Sequence, residues 1–378
     1  MNDRDQIESI YLPICSRLGI TSFSLVLFRA GFETISFGIG SVNHGNTSDT
    51  SRVNQNTVFQ LASVSKFLTT CLLIELSRQK LLDVNQPIHP HIIQECFPSM
   101  YEKFDVHQIT WSHLLTHRSG FKDKGGIVGQ NQYGYHLPEV KSWNRNIADY
   151  YDSNLLGIFH YSACGYWLIQ QLLESTYSRS FATLLTHFVL KPLGMYDTCS
   201  GSLDSRVINF ASGIDPTGIL TSPYMHYPCC EAVAGIWSSA HDLGLLFQHL
   251  LRSSPDLKVH NRKSLPLIRL YDLINSPFKG SYQYGLALIR KYNQDHWIHT
   301  GCNPGYTSAV LLNSDAKAGM AFLINSGIPR DVLQSVGETM RLDARLGMHA
   351  AHGRRARRTQ SFGAQLSHYL QPPLAYYA

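Results

Sequence analysis

Ser63 and Lys66 stand three residues apart in the stretch Gln60-Leu61-Ala62-Ser63-Val64-Ser65-Lys66-Phe67-Leu68. A serine hydroxyl is a weak nucleophile until a base removes its proton. A lysine can be that base only when it is neutral, and its reference pKa is about 10.4. Burial and nearby positive charge lower that value, by up to roughly 3–5 units at full burial. The flanking residues say how the pair is held. A β-branched, apolar approach (Thr57-Val58-Phe59) leads into the serine, and Leu68, Leu72, Leu73 and Leu76 then recur at helical spacing. The pattern predicts a helix from Ser63 to near Lys80, with Lys66 one turn on and on the same face. The start of such a helix also offers backbone N–H groups and a positive dipole end to a developing oxyanion. Alone, Ser-x-x-Lys is short enough to be a serine cap followed by a solvated lysine, so its meaning depends on the rest of the chain.

Two further groupings follow. Tyr161-Ser162-Ala163 sits just before a predicted helix over Cys164–Thr176. A tyrosine at a helix entrance can be a structural staple; beside an activated serine a phenol can also shuttle a proton, and the charge of Lys66 would favour its ionised form. His299-Thr300-Gly301 is read at the end of a strand, before Cys302-Asn303-Pro304-Gly305-Tyr306. A strand edge ending in glycine lets a substrate carbonyl approach closely. The N–H of Cys302 could then complete an oxyanion hole with that of Ser63. His299 would offer the site a donor or a partial positive charge; the plainer reading of one histidine before a turn is a hydrogen-bonder in the surface or core.

In this order, Ser63-x-x-Lys66, Tyr161-Ser162-x and His299-Thr300-Gly301 resemble the motifs of the penicillin-recognising serine hydrolases, which include class C β-lactamases, DD-peptidases and esterases of the family VIII type. Leu114-Leu115-Thr116-His117-Arg118-Ser119-Gly120, Pro192-Leu193-Gly194-Met195 and Ala234-Gly235-Ile236-Trp237-Ser238-Ser239-Ala240-His241-Asp242-Leu243 also resemble family segments, and the likeness runs from Gln55 to Ile324. It implies an α+β fold of the β-lactamase/transpeptidase type: an antiparallel sheet flanked by helices, plus an all-helical lobe, with the active site between them. It implies acylation of Ser63, proton transfer by Lys66 and Tyr161, and a substrate bordered by the strand from His299 to Gly301. Two departures shape the substrate expectation. Ala163 stands where the β-lactamases carry an asparagine, which removes an amide that would hold a substrate's amide side chain. His299 stands where a lysine is usual, and a neutral imidazole attracts a carboxylate less than an ammonium does. Both point to esters or related small-molecule acyl donors, without a cofactor. The same acyl-enzyme would also serve an acyltransferase, a transpeptidase, a β-lactamase or a DD-peptidase. A reading of another class is a non-catalytic binding protein that keeps the fold.

The rest of the chain must place these residues. Ile7, Ile10, Tyr11, Ile14 and Leu18 predict an amphipathic first helix. Phe23–Arg29 and Glu33–Ile39 predict a hairpin, and strands return at Tyr284–Arg290, His296–His299, Thr307–Leu312 and Gly319–Ile324. Short helices and a long loop over Lys122–Arg145 lie between, a capped amphipathic helix is expected over Ser238–Leu251, and a last helix over Asp331–Leu346. The terminal strands are therefore expected to share one antiparallel sheet, covered by the first and last helices. The expected division is a discontinuous sheet lobe (residues 1–82 and 200–347), a helical lobe (residues 83–199) and a basic, loosely ordered tail (residues 348–378).

Composition narrows the classes. The chain has 378 residues, 44% hydrophobic and 16% charged, as a globular protein with a sizeable core does. Its net charge is +5, but Arg354, Arg355, Arg357 and Arg358 carry most of it and leave the remainder at about +1. No stripe of basic residues or nucleic-acid-binding module is present, so nucleic acid is not an expected partner. The eight cysteines are scattered with no Cys-x-x-Cys pair, and read as reduced thiols. Nothing approaches the ~18 apolar residues of a membrane span. The first residues have no apolar signal core, so a cytoplasmic location is the expectation. His113 and His117 have helical i, i+4 spacing, but Leu114 stands where a His-Glu-x-x-His zinc site has its glutamate, so no metal is expected. Cys302 lacks a base at recognisable spacing and is read as a backbone contributor.

Overall fold

The computed structural model of the chain describes residues 15, 20, 22–42, 52–103, 106–122, 147–201, 203, 209–214, 230–252, 270–278, 280–291, 294–313, 315 and 317–326. The expected first helix lies outside them apart from Cys15, which is helical and buried, and so do the last helix, the basic tail and nearly all of the Lys122–Arg145 loop.

In chain order, β1 (Phe23–Arg29) and β2 (Ile35–Ile39) form the expected hairpin. β3 (Val58–Gln60) runs through a 3-10 turn at Ala62–Val64 into helix α1 (Ser65–Arg78). There follow α2 (Pro90–Cys96), α3 (Trp111–Leu115), the paired strands β4 (Ser119–Phe121) and β5 (Tyr151–Leu156), and α4 (Ala163–Tyr177). Then come β6 (Cys199–Ser200), α5 (Glu231–Ala234), β7 (Ile236–Ser239) and α6 (Ala240–Arg252), and last β8 (Ala287–Lys291), β9 (Gln294–Asn303), β10 (Tyr306–Asn313) and β11 (Ala318–Ile324).

Strand alternation decides the main sheet. Its order is β2-β1-β11-β10-β9-β8, antiparallel throughout, so the early hairpin and the late strands share one sheet as the sequence predicts. Phe23 and Leu25 of β1 lie beside Ile324 and Phe322 of β11 and pack into a small cluster with Phe37 and Met320. Val26 and Phe28, on the other face, join the principal core, where Leu243, Leu246, Phe247 and Leu250 of α6 cover them. That core continues through α1 to α4. Helix α1 is buried on every side from Ser65 to Leu76, which marks a central helix rather than a surface one. The chain is an α+β molecule built on an antiparallel sheet.

Local caps set the helix starts. Thr110 Oγ1 accepts from the His113 N–H at 3.1 Å and opens α3; Ser162 Oγ accepts from the Gly165 N–H at 3.0 Å and opens α4. One expectation is corrected. Ser238 and Ser239 belong to β7, and the helix begins at Ala240. Edge-on pairing of this segment with β3 and β6 overrides its helical pattern, and Ser239 Oγ is left to cap α6 by accepting from the Asp242 N–H at 3.1 Å. No helix among the described residues is long and apolar enough to cross a membrane.

Candidate active site

β3 and β7 run antiparallel with Gln60 opposite Trp237, and the Leu61 N–H donates to the Ile236 carbonyl at 2.8 Å. The chain entering Ser63 therefore lies beside the chain leaving Val233. Between them Ala62 takes φ +47°, a left-handed conformation that costs an L-residue roughly 1–2 kcal/mol. The Leu61 carbonyl accepts from Ser308 Oγ at 2.5 Å and from the Val64 N–H at 3.0 Å, which fixes the turn. Ser63 emerges partly exposed between buried Ala62 and Val64.

Lys66 follows one turn later, as the spacing predicts, and is 0% exposed. Its Nζ donates to the Val233 carbonyl at 3.0 Å and lies 3.2 Å from Ser63 Oγ. The segment that supplies this carbonyl is firmly held. Gln170 of α4 accepts from the Ala232 N–H at 3.1 Å and donates to Glu231 through Nε2. Thr69 Oγ1 donates to the Ala232 carbonyl at 2.8 Å, and Ser65 Oγ accepts from the Ile236 N–H at 3.1 Å. Asn303 Nδ2 joins Gln60 Oε1 (2.8 Å) to the Ala234 carbonyl (3.1 Å).

Tyr161 approaches from the entrance of α4. Lys66 Nζ is 5.3 Å from the centroid of its ring and 5.8 Å from that of Tyr166. The Tyr161 ring stacks on His117, with centroids 4.2 Å apart. His117 also holds the backbone on either side of Tyr161: its Nδ1 accepts from the Ser162 N–H at 3.1 Å, and its carbonyl accepts from the His160 N–H at 2.7 Å. A ring nitrogen that accepts carries no hydrogen, so the hydrogen is on Nε2, 3.2 Å from the Tyr282 hydroxyl. Burial holds the His117 pKa well below the usual histidine range. His117 thus braces the segment that carries Tyr161. His113, its i, i+4 neighbour, is engaged with Thr110 in the α3 cap, and no group of metal-binding side chains occurs among the described residues.

His299, Thr300 and Gly301 lie inside β9, which continues to Asn303, and not at a strand end as the sequence suggests. Pairing with β10, His299 opposite Val310 and Cys302 opposite Thr307, carries the strand on. A Cβ on Gly301 would stand 2.9 Å from the Ser63 nitrogen and would collide with the Leu61 carbonyl, so only glycine lets this strand pass the turn. Thr300 is partly exposed and the Cys302 side chain is exposed. His299 is buried, and its Nδ1 lies 2.6 Å from the Gly285 carbonyl. The donor that the sequence assigned to the site is thus given to the backbone. Burial pushes the His299 pKa down to about 3.

The structure therefore brings Ser63, Lys66, Tyr161, His299 and Gly301 to one place. Sequence reasoning missed the Val233 and Gly285 carbonyls, because a backbone acceptor has no residue-type signature. It missed Gln170 and Tyr282, which act through partners distant in the chain. The only signal was indirect: the Ala234-Gly235-Ile236-Trp237 segment adjoins Val233.

An antiparallel sheet covered by helices, with a Ser-x-x-Lys pair whose lysine is buried and whose serine lies against an inner strand of that sheet, defines the penicillin-recognising serine hydrolases. The chain belongs to the Beta-lactamase family, whose model matches residues 24–342. It is 26% identical over 309 residues to penicillin-binding protein 4* of Bacillus subtilis (strain 168), covering 75% of this chain and 64% of that protein, so it spans less than two thirds of that relative's length. In fold it is similar to a class C beta-lactamase, with TM-score 0.72 and 16% identity over 93% of this chain and 97% of that one. It is also similar to the D-amino acid amidase of Ochrobactrum anthropi SV3 complexed with L-phenylalanine, with TM-score 0.69 and 19% identity over 92% of this chain and 99% of that one.

Proposed function

We propose that this protein is a serine hydrolase that forms an acyl-Ser63 intermediate, acting on esters or related small-molecule acyl donors. The observation that carries the reading is the 3.2 Å approach of Lys66 Nζ to Ser63 Oγ with the lysine entirely out of water. Removal from water favours the neutral amine. A neutral Lys66 takes the Ser63 proton as Oγ attacks the substrate carbonyl carbon, and the C–O bond to the alcohol breaks as that proton passes to the departing oxygen. Tyr161, its ring 5.3 Å from Nζ, is the second member of the proton-transfer pair. The Ser63 and Cys302 N–H groups receive the oxyanion. Water, activated by the same pair, then releases the acid.

Two features support esters over amide substrates. Ala163 is 0% exposed at the start of α4, so no amide side chain reaches the substrate from that position. His299 brings no permanent charge. Brief exposure to a fluorophosphonate followed by intact-mass measurement tests the nucleophile: one adduct on the native chain and none on Ser63→Ala is expected. A folded native chain that takes no adduct would leave the fold as a binding scaffold. A screen of acyl donors and acceptors then separates hydrolysis from acyl transfer.

A further inference from the structure

Side chains of β9 alternate between the two faces of the sheet. The face of Gly301 is the Ser63 face, because a Cβ there would meet the Ser63 nitrogen at 2.9 Å. His299, two residues earlier, stands on that same face. A carbonyl oxygen can only accept, so the 2.6 Å contact with Gly285 places the ring hydrogen on Nδ1. This tautomer is built in. Gly285 has φ +69°, and a Cβ on it would stand 2.6 Å from Thr70 Oγ1 and 3.2 Å from the Lys66 carbonyl, so its backbone is pressed against the helix that carries Lys66. The second nitrogen, Nε2, then holds a lone pair. It makes no hydrogen bond among the described residues and is not one of the sealed, partnerless polar atoms of the core, so it is open to an incoming group.

We infer that His299 is a specificity-determining acceptor, and that the preferred acyl group carries a neutral hydrogen-bond donor, a hydroxyl or an amide N–H, where Nε2 meets it. A carboxylate there would face a lone pair with no proton between them. An ammonium would sit beside Lys66 at the moment that lysine becomes charged by taking the Ser63 proton. The inference deepens the acyl-Ser63 reading and rests on it for the location of the acyl group.

The test compares three acyl groups of equal length: 3-hydroxybutanoate, butanoate and succinate. Their ethyl esters are titrated into Ser63→Ala by calorimetry, and their p-nitrophenyl esters are turned over by the native enzyme. The hydroxy ester should bind and react about tenfold better than butanoate, the difference one neutral hydrogen bond makes, with succinate last. In the Ser63→Ala background, His299→Leu should erase the hydroxyl preference. His299→Gln, whose amide can donate to Gly285 and still present an oxygen, should keep it, and this variant controls for misfolding. Succinate bound best, or a hydroxyl preference unchanged in a folded His299→Leu variant, overturns the inference. Binding order is read without acylation, so failure of the acyl-enzyme reading shows separately, as absence of turnover and of the fluorophosphonate adduct.

Discussion

Gly301 and Ser63 are neighbours across the site: a Cβ on the glycine would stand 2.9 Å from the Ser63 nitrogen and 2.6 Å from Ser308 Oγ. Gly301→Ala must therefore push β9 away from the nucleophile turn. Overpacking of this kind costs about 1–3 kcal/mol. Thermal unfolding should show that loss, and the acylation rate of the folded variant should fall as well. A variant with native melting temperature and native acylation would show that the close approach is not required.

Lys66 and Tyr161 have separable predictions. Lys66→Ala and Tyr161→Phe should each slow acylation by about 10²–10⁴, the range for loss of a general acid–base group. Single-turnover release of nitrophenol measures it. Full activity in either variant removes that residue from the proton-transfer pair.

Two buried histidines tie stability to pH. His299 titrates at about 3 in the folded protein and His117 also lies well below its ordinary value of 6.5. The unfolded chain binds protons on these side chains where the folded chain does not, so their contribution is complete above about pH 6.5 and is lost as the pH falls toward 3. The slope is at most about 1.4 kcal/mol per pH unit for each histidine. His299→Gln should flatten the fall in melting temperature between pH 7 and 4. An unchanged slope would mean that His299 is not held neutral by burial.

Asp242 has the opposite sign. Its Oδ2 accepts from the Asp197 N–H (2.9 Å), the Thr198 N–H (2.8 Å) and Thr198 Oγ1 (2.7 Å). Burial pushes its pKa up from 3.8 to about 6, with Thr198 opposing and Asp197 adding to the rise. Its stabilising contribution is greatest below the unfolded value and declines as the pH rises through 6. An asparagine oxygen can accept the same three hydrogen bonds without the charge. The melting temperature of Asp242→Asn, relative to native, should therefore climb from pH 4 to pH 8; a constant difference would refute the shift.

The sequence alone determined the period-two strands, the helix after Ser63 and the helix that follows Tyr161-Ser162, because these depend on neighbours within a few residues. It also determined the order Ser63-x-x-Lys66, Tyr161-Ser162, His299-Thr300-Gly301, since the reactive residue types are rare in that arrangement. It misjudged Ser238 and Ser239, where pairing with a strand nearly two hundred residues away outweighed a local helical pattern. It placed His299 at a strand end, because a glycine reads as a stop until its neighbours show that a side chain would not fit. Only the tertiary structure decided that Lys66 is fully buried against Val233, that His117 carries Tyr161, and that Gly285 takes the His299 hydrogen. Those three facts rest on backbone carbonyls and ring faces brought together from distant segments, and no residue type announces them in advance.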